Sequence, residues 1–102
     1  MKILLLEDER MLRTSIREYL EPQGYHVEEA ANGAQALEMA EGNAYDLLLL
    51  DINVPQMDGF ALTQKLHEAK ITTPIIFISA RVEIEDIAKG FDLGCIDYIK
   101  KP

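Results

Sequence analysis

The chain has 102 residues, ten basic and eighteen acidic side chains, a net charge of −8 and an apolar content of 48%. These values indicate one globular domain and disfavour nonspecific binding to nucleic acid or to an anionic membrane. A single cysteine excludes an internal disulfide, and no signal-peptide pattern or apolar run of about 18 residues is found. We therefore expect a cytoplasmic protein.

Short apolar runs alternate with helical patterns along the chain. The periodicity predicts strands at residues 3–6, 25–30, 46–50, 75–78 and 96–99. Helices are predicted at residues 10–20 and 34–40, from Asp58-Gly59 onward, and around residues 84–91. The first helix is expected to place one apolar face on the core, made of Met11, Leu12, Ile16, Tyr19 and Leu20.

Five strands alternating with four helices predict an α/β fold with a parallel sheet covered on both faces. The run from Leu47 to Leu50 shows no alternation between apolar and polar residues. Both faces of this segment therefore need burial, which is typical of an interior strand. The run ends at Asp51, where a parallel strand delivers its last side chain to the carboxyl edge of the sheet.

Polar side chains also follow the other apolar runs. Glu7 and Asp8 follow the first strand, Ser79 ends the fourth, and Lys101 follows the fifth. Because the carboxyl ends of parallel strands share one edge, these groups are expected to meet Asp51 there.

Carboxylates gathered in one small cleft repel one another and favour a bound cation. Oxygen ligands with room for water suit Mg²⁺. An ammonium from Lys101 and a hydroxyl from Ser79 would stabilise an added anion on Asp51. This combination is the chemistry that phosphoryl transfer to an aspartate needs.

The sequence resembles the receiver domain of bacterial two-component response regulators over essentially its whole length. The resemblance implies a flavodoxin-like, doubly wound parallel sheet of five strands in the order 2-1-3-4-5. The family's fifth helix is not found, so residues 1–102 are expected to form a receiver domain that is incomplete at its C-terminus. The motifs that carry the resemblance are Glu7-Asp8, Asp51 with Pro55 and Asp58-Gly59, Ser79-Ala80, Gly94, and Tyr98 with Lys101-Pro102.

The resemblance also implies individual roles. Asp51 would accept a phosphoryl group from a phosphohistidine on a sensor histidine kinase, with Lys101 and Ser79 as the catalytic partners. Asp8, Asp51 and the backbone carbonyl of Asn53 would ligate Mg²⁺, and Glu7 would act mainly through water.

A switch is implied as well. Ser79 and Tyr98 would move upon phosphorylation and alter the surface of helix four and strand five. That surface would control an output, which we expect to be transcription, and could support a homodimer. The chain itself is expected to be no enzyme beyond assisting its own phosphorylation and dephosphorylation, and to bind no nucleic acid directly.

Other functions fit less well. A phosphatase of the haloacid dehalogenase type needs a second aspartate where Asn53 stands, and a flavin binder would not place Glu7-Asp8-Glu9 beside a phosphate. The alternative that stays open is a phosphorylation-independent interaction module on the same fold, because the sequence does not show that the site residues work.

Overall fold

A computed structural model describes residues 1–51 and 59–79, and the backbone of 97–100. Of Gly59 and Ser79 only the backbone is described. The strands are β1 (Lys2–Leu6), β2 (His26–Ala30), β3 (Leu47–Asp51), β4 (Ile75–Ser79) and β5 (Asp97–Lys100). The helices of the described part are α1 (Arg10–Leu20), α2 (Gly33–Gly42) and α3 (Gly59–Glu68), with a short 3-10 turn at Glu21–Gln23.

The five strands form one parallel sheet in the order β2-β1-β3-β4-β5. This confirms the flavodoxin-like, doubly wound arrangement. The predicted fourth helix lies outside the described residues. None of the described helices has the length and apolar character needed to cross a bilayer.

Side chains of β1 and β3 are buried on both sides of the sheet because each side has its own core. Alternate residues such as Leu4 and Leu48 face α2 and α3, while Ile3 and Leu49 face α1. This explains the unbroken leucine run, since an interior parallel strand exposes neither face to water.

The start of α2 shows how short polar residues set a helix boundary. Asn32 is the N-cap, and its side-chain oxygen accepts a hydrogen bond from the Gln35 amide at 2.8 Å. The Gln35 side chain accepts in return from the Ala31 amide at 3.0 Å. This reciprocal pair satisfies the Gln35 amide, which a helix start leaves without an intrahelical partner, and the Ala31 amide just before the N-cap.

The predicted buried face of α1 is partly wrong. Ile16 and Leu20 pack against the sheet, and Leu12 is half-buried. Met11 and Tyr19 are instead 80% and 71% exposed. Residues 12, 16 and 20 follow a strict four-residue spacing that lines one stripe of the helix, and the other two residues lie off that stripe.

Candidate functional site

The first part of the site is the loop that leaves β1. The amide of Glu7 donates to the carbonyl of Ala30 at 3.2 Å, which continues the pairing of β1 with β2 beyond Leu6. One carboxylate oxygen of Glu7 accepts from the Glu9 amide at 3.1 Å. The side chain of Glu7 is fully buried; the sequence placed Glu7 at the predicted metal site but did not indicate this burial. The loop therefore directs a carboxylate into the protein.

Asp51 supplies the second part. It is the last residue of β3, and it pairs in register with Ile78 of β4. Only 1% of its surface is exposed. Interior strands are the most rigid elements of such a sheet, so the carboxylate of Asp51 is held at a fixed place on the carboxyl edge.

Glu7, Asp8 and Asp51 together form an acidic cluster. One carboxylate oxygen from each residue can be chosen so that all three lie within 4.8 Å of one another. Glu7 and Asp51 are buried, while Asp8 is exposed. The cluster thus has two inner carboxylates and one that meets solvent.

The donor set of this acidic cluster fits Mg²⁺. All three side chains offer oxygen, and the exposed side leaves room for water, which Mg²⁺ keeps in its coordination shell. Bringing like charges together in a partly buried place is unfavourable unless positive charge compensates. A hydrated divalent cation would provide that compensation, so these residues are suited to hold one.

The remaining predicted site residues are only partly described. Ser79 ends β4 at the same sheet edge as Asp51, and its backbone pairs in register with Lys100 of β5. Tyr98 lies in β5 in register with Phe77. The side chains of Ser79 and Tyr98, together with Asn53 and Lys101, lie outside the described residues.

One contact at this edge was not predicted. The guanidinium of Arg13, one turn into α1, donates from Nη1 to the backbone carbonyl of Glu7 at 2.9 Å. Helical side chains lean toward the N-terminal end of their helix, so an arginine four residues after Glu9 faces the preceding loop. That spacing was the available signal.

Comparisons with known proteins point to a single family. The family described as response regulator receiver domain matches residues 3–102. The chain is 41% identical over 102 residues to the transcriptional regulatory protein RprY of Bacteroides fragilis, covering all of this chain and 43% of that protein. The chain thus spans less than half the length of this curated relative.

Solved structures agree with this result. The receiver domain of the Francisella response regulator 1452 matches with a TM-score of 0.94 and 32% identity, covering 99% of this chain and 84% of that one. The response regulator TrrA of Thermotoga maritima, solved in complex with Mg²⁺ and BeF, matches with a TM-score of 0.88 and 28% identity, covering 99% and 86%.

Proposed function

Since this chain belongs to the response regulator receiver domain family, we propose that it accepts a phosphoryl group on Asp51 from a sensor histidine kinase. Response regulators interact with histidine kinases in two-component systems, and receiver domains generally bind Mg²⁺ at an acidic pocket. The observation that carries the proposal is the buried carboxylate of Asp51 at the end of β3, within 4.8 Å of oxygens from Glu7 and Asp8.

In this proposal, Asp8, Asp51 and the carbonyl of Asn53 would hold Mg²⁺ directly, and Glu7 would act mainly through water. When bound, the ion would supply positive charge that offsets the negative charge on the oxygens of the phosphoryl group. A carboxylate oxygen of Asp51 forms the new bond to phosphorus while the bond from phosphorus to the histidine nitrogen breaks. The bonding electron pair leaves with the imidazole.

The other residues act on the charge of the phosphoryl group. The ammonium of Lys101 pairs with its oxygens, and the hydroxyl of Ser79 donates a hydrogen bond to one of them. Movement of Ser79 toward the phosphoryl group lets Tyr98 turn inward, which changes the surface of β5 and the predicted fourth helix. The low dielectric around buried Asp51 strengthens each of these interactions.

We further propose that residues 1–102 act as one receiver domain of a cytoplasmic transcription regulator. The relative RprY, of which this chain covers 43%, is named a transcriptional regulatory protein. The proposal includes a sensor histidine kinase as the partner and control of transcription as the output. It also includes a homodimer formed through the predicted fourth helix and β5. The net charge of −8 makes direct binding of this domain to nucleic acid unfavourable.

Intact-mass spectrometry after incubation with acetyl phosphate and Mg²⁺ tests the proposal. We expect the wild-type chain to gain one phosphoryl group and Asp51→Asn to gain none. Asp46→Asn is the matched control, because Asp46 lies before β3 and its side chain accepts from the Lys2 amide at 2.7 Å, away from the acidic cluster. This control should be phosphorylated normally.

Lys101→Ala separates phosphorylation from signalling. We expect this variant to be phosphorylated to most of the wild-type extent. It should lose the changes in the amide NMR spectrum that beryllofluoride, added in place of the phosphoryl group, induces in the wild-type chain. If the wild-type chain gains no mass that Asp51→Asn lacks, the phosphoacceptor proposal is wrong, and the phosphorylation-independent interaction module becomes the better description.

A further inference from the structure

Arg13 connects α1 to the loop that carries two members of the acidic cluster. Its Nη1 donates to the carbonyl of Glu7 at 2.9 Å, and its Nε lies 3.9 Å from a carboxylate oxygen of Glu29. The side chain of Arg13 is only 17% exposed. A guanidinium held by a hydrogen bond and an ion pair on two separate residues is fixed more firmly than one with a single contact.

The contact with Glu7 fixes a particular peptide group. The carbonyl of Glu7 belongs to the planar peptide that joins Glu7 to Asp8. A hydrogen bond on this carbonyl therefore sets the orientation from which Asp8 continues. Asp8 is the exposed member of the acidic cluster, so the direction of its side chain depends more on the loop backbone than on surrounding packing.

The other hydrogen bonds described for this loop do not involve the Glu7 carbonyl. The Glu7 amide donates to Ala30 of β2, the Glu7 carboxylate accepts from the Glu9 amide, and the Glu9 carbonyl accepts from the backbone amide of Arg13 at 2.9 Å. Of the hydrogen bonds described for residues 7–9, the one from Arg13 is the contact that a side chain of α1 makes with the loop backbone. Arg13 thus ties the loop to the body of the helix.

Glu29 holds Arg13 in place. It lies on β2 and presents its carboxylate to two arginines of α1, with Arg17 Nη1 at 3.5 Å. Arg17 also pairs with Glu21 at 3.0 Å. Arg17 is therefore an arginine with the same acidic neighbour as Arg13, but with no hydrogen bond described to the loop.

We propose that Arg13, held by Glu29, is a positioning residue for Mg²⁺ binding at the acidic cluster. This inference rests on the proposed function, because it assumes that Glu7, Asp8 and Asp51 hold Mg²⁺. Arg13 acts through the Glu7–Asp8 peptide and touches neither the ion nor the phosphoryl group.

Positioning and simple electrostatics predict effects of opposite sign. Removing a positive charge near an acidic site increases its attraction for a divalent cation. Releasing the Glu7–Asp8 peptide has the reverse effect, since the carboxylate of Asp8 must then be ordered when the ion binds. The sign of the change in Mg²⁺ affinity therefore distinguishes the two.

Mg²⁺ titrations followed by amide NMR shifts test the proposal on three variants. We expect Arg13→Met to weaken binding by about three- to tenfold, less than the loss typical for direct partners of metal ligands. Arg17→Met loses an equal charge beside Glu29 and should bind Mg²⁺ as tightly as wild type or more tightly. Arg13→Lys keeps the charge but offers one ammonium group in place of the two guanidinium nitrogens that contact Glu7 and Glu29, so its affinity should fall between those of wild type and Arg13→Met.

Amide hydrogen exchange without metal gives a second readout. Arg13→Met should accelerate exchange of the Glu9 amide, while Arg17→Met should leave it unchanged. Equal Mg²⁺ affinities for these two variants, or tighter binding by Arg13→Met, would overturn the positioning role and leave the proposed function intact. If Arg13→Met does not fold, an Arg13→Lys variant with unchanged affinity and exchange overturns it as well.

Failure of the proposed function would look different. A wild-type chain whose Glu7–Glu9 amides show no response to Mg²⁺ would overturn Mg²⁺ binding at the cluster, and the role of Arg13 in it would fall too.

Discussion

Charged groups are arranged differently at the amino edge of the sheet, where the strands begin, and at the carboxyl edge, where they end. Near the amino edge, Glu28 accepts a hydrogen bond from the Tyr45 hydroxyl at 2.6 Å and lies 3.6 Å from the Lys2 ammonium and 3.3 Å from a ring nitrogen of His26. The Lys2 ammonium also lies 5.0 Å from the centre of the Tyr45 ring. At the carboxyl edge, the acidic cluster instead gathers three groups of like charge.

The contacts among Glu28, Tyr45, Lys2 and His26 shift the pKa values of Tyr45 and Glu28. Burial, together with the nearby Glu28 carboxylate, raises the pKa of the Tyr45 hydroxyl well above its ordinary value. The hydrogen bond from Tyr45, with smaller contributions from His26 and Lys2, lowers the pKa of Glu28. Each shift favours the protonation state that keeps the network intact.

This difference between the two edges indicates which charged groups contribute to folding stability and which are suited to binding. Complementary groups at the amino edge stabilise the fold, whereas the acidic cluster adds repulsion in a partly buried place. Carboxylates gathered in one partly buried place are a reasonable mark of a binding site. The two edges should therefore respond oppositely to cations and to charge-removing substitutions.

The largest expected effect is stabilisation by Mg²⁺. Binding to the folded state alone should raise the free energy of unfolding by about 2.7 kcal/mol at about one hundred times the Kd. Urea unfolding with and without Mg²⁺ measures this gain. Asp8→Asn should lose most of it, and Tyr45→Phe should keep it. An equal gain in Asp8→Asn would place the ion elsewhere.

The next effect is the loss of the hydroxyl of Tyr45. Tyr45→Phe keeps the buried ring but removes the donor to Glu28, so the free energy of unfolding should fall by about 1.5 kcal/mol. Tyr19→Phe is the control, because Tyr19 is 71% exposed, and its effect should stay within about 0.5 kcal/mol. Similar values for the two variants would contradict the comparison.

The same hydroxyl should affect alkaline stability. A pKa raised by folding contributes stability that is present below the unfolded value of about 10 and is lost as the pH rises toward the folded value. Wild type should therefore lose more stability above pH 10 than Tyr45→Phe does. Absorbance at the tyrosinate band should show an ionisation above pH 10 in wild type that Tyr45→Phe lacks.

A smaller effect of opposite sign is expected at the acidic cluster. Without metal, Asp8→Asn should raise the free energy of unfolding by about 0.5 kcal/mol at low salt, because it removes one of three like charges. Added monovalent salt should reduce the gain, since Asp8 is exposed. A destabilised Asp8→Asn would mean that Asp8 makes a favourable contact in the metal-free protein.

The smallest effect concerns acid unfolding. The lowered pKa of Glu28 contributes stability above the ordinary value of about 4.5, and this stability is lost as the pH falls through the folded value. Glu28→Gln should remove about 0.5 kcal/mol or less at neutral pH, because the side chain is 30% exposed. The difference between wild type and variant should narrow below pH 4.5, and a constant difference would contradict it.

Part of the site followed from the sequence because strand ends are visible in it. The apolar runs before Glu7 and before Asp51 marked two strands, and parallel strands bring their carboxyl ends to one edge. The order of the strands came from the resemblance to a family, since periodicity alone does not say which strands are neighbours. Met11 was placed on the core because it is apolar, but it lies off the stripe formed by residues 12, 16 and 20 and the structure exposes it.

Other features needed the assembled molecule. The complete burial of Glu7 depends on segments that are distant along the chain. The hydrogen bond from Tyr45 to Glu28 likewise joins residues that are 17 positions apart. The contact from Arg13 to the Glu7 carbonyl was signalled only by the spacing of Arg13 from Glu9, and its distance of 2.9 Å is known from the structure. Local pattern indicates which side chains can face a loop but carries no information on such distances.

The sequence by itself determined that strands and helices alternate and that carboxylates follow the first and third strands, because the spacing of apolar residues is a local property of the chain. Only the tertiary structure decided that Glu7, Asp8 and Asp51 come within 4.8 Å of one another and that Arg13 holds their loop. These distances are set by the register between β1, β2 and β3 and by the packing of α1, which arise when distant segments bury their apolar faces together.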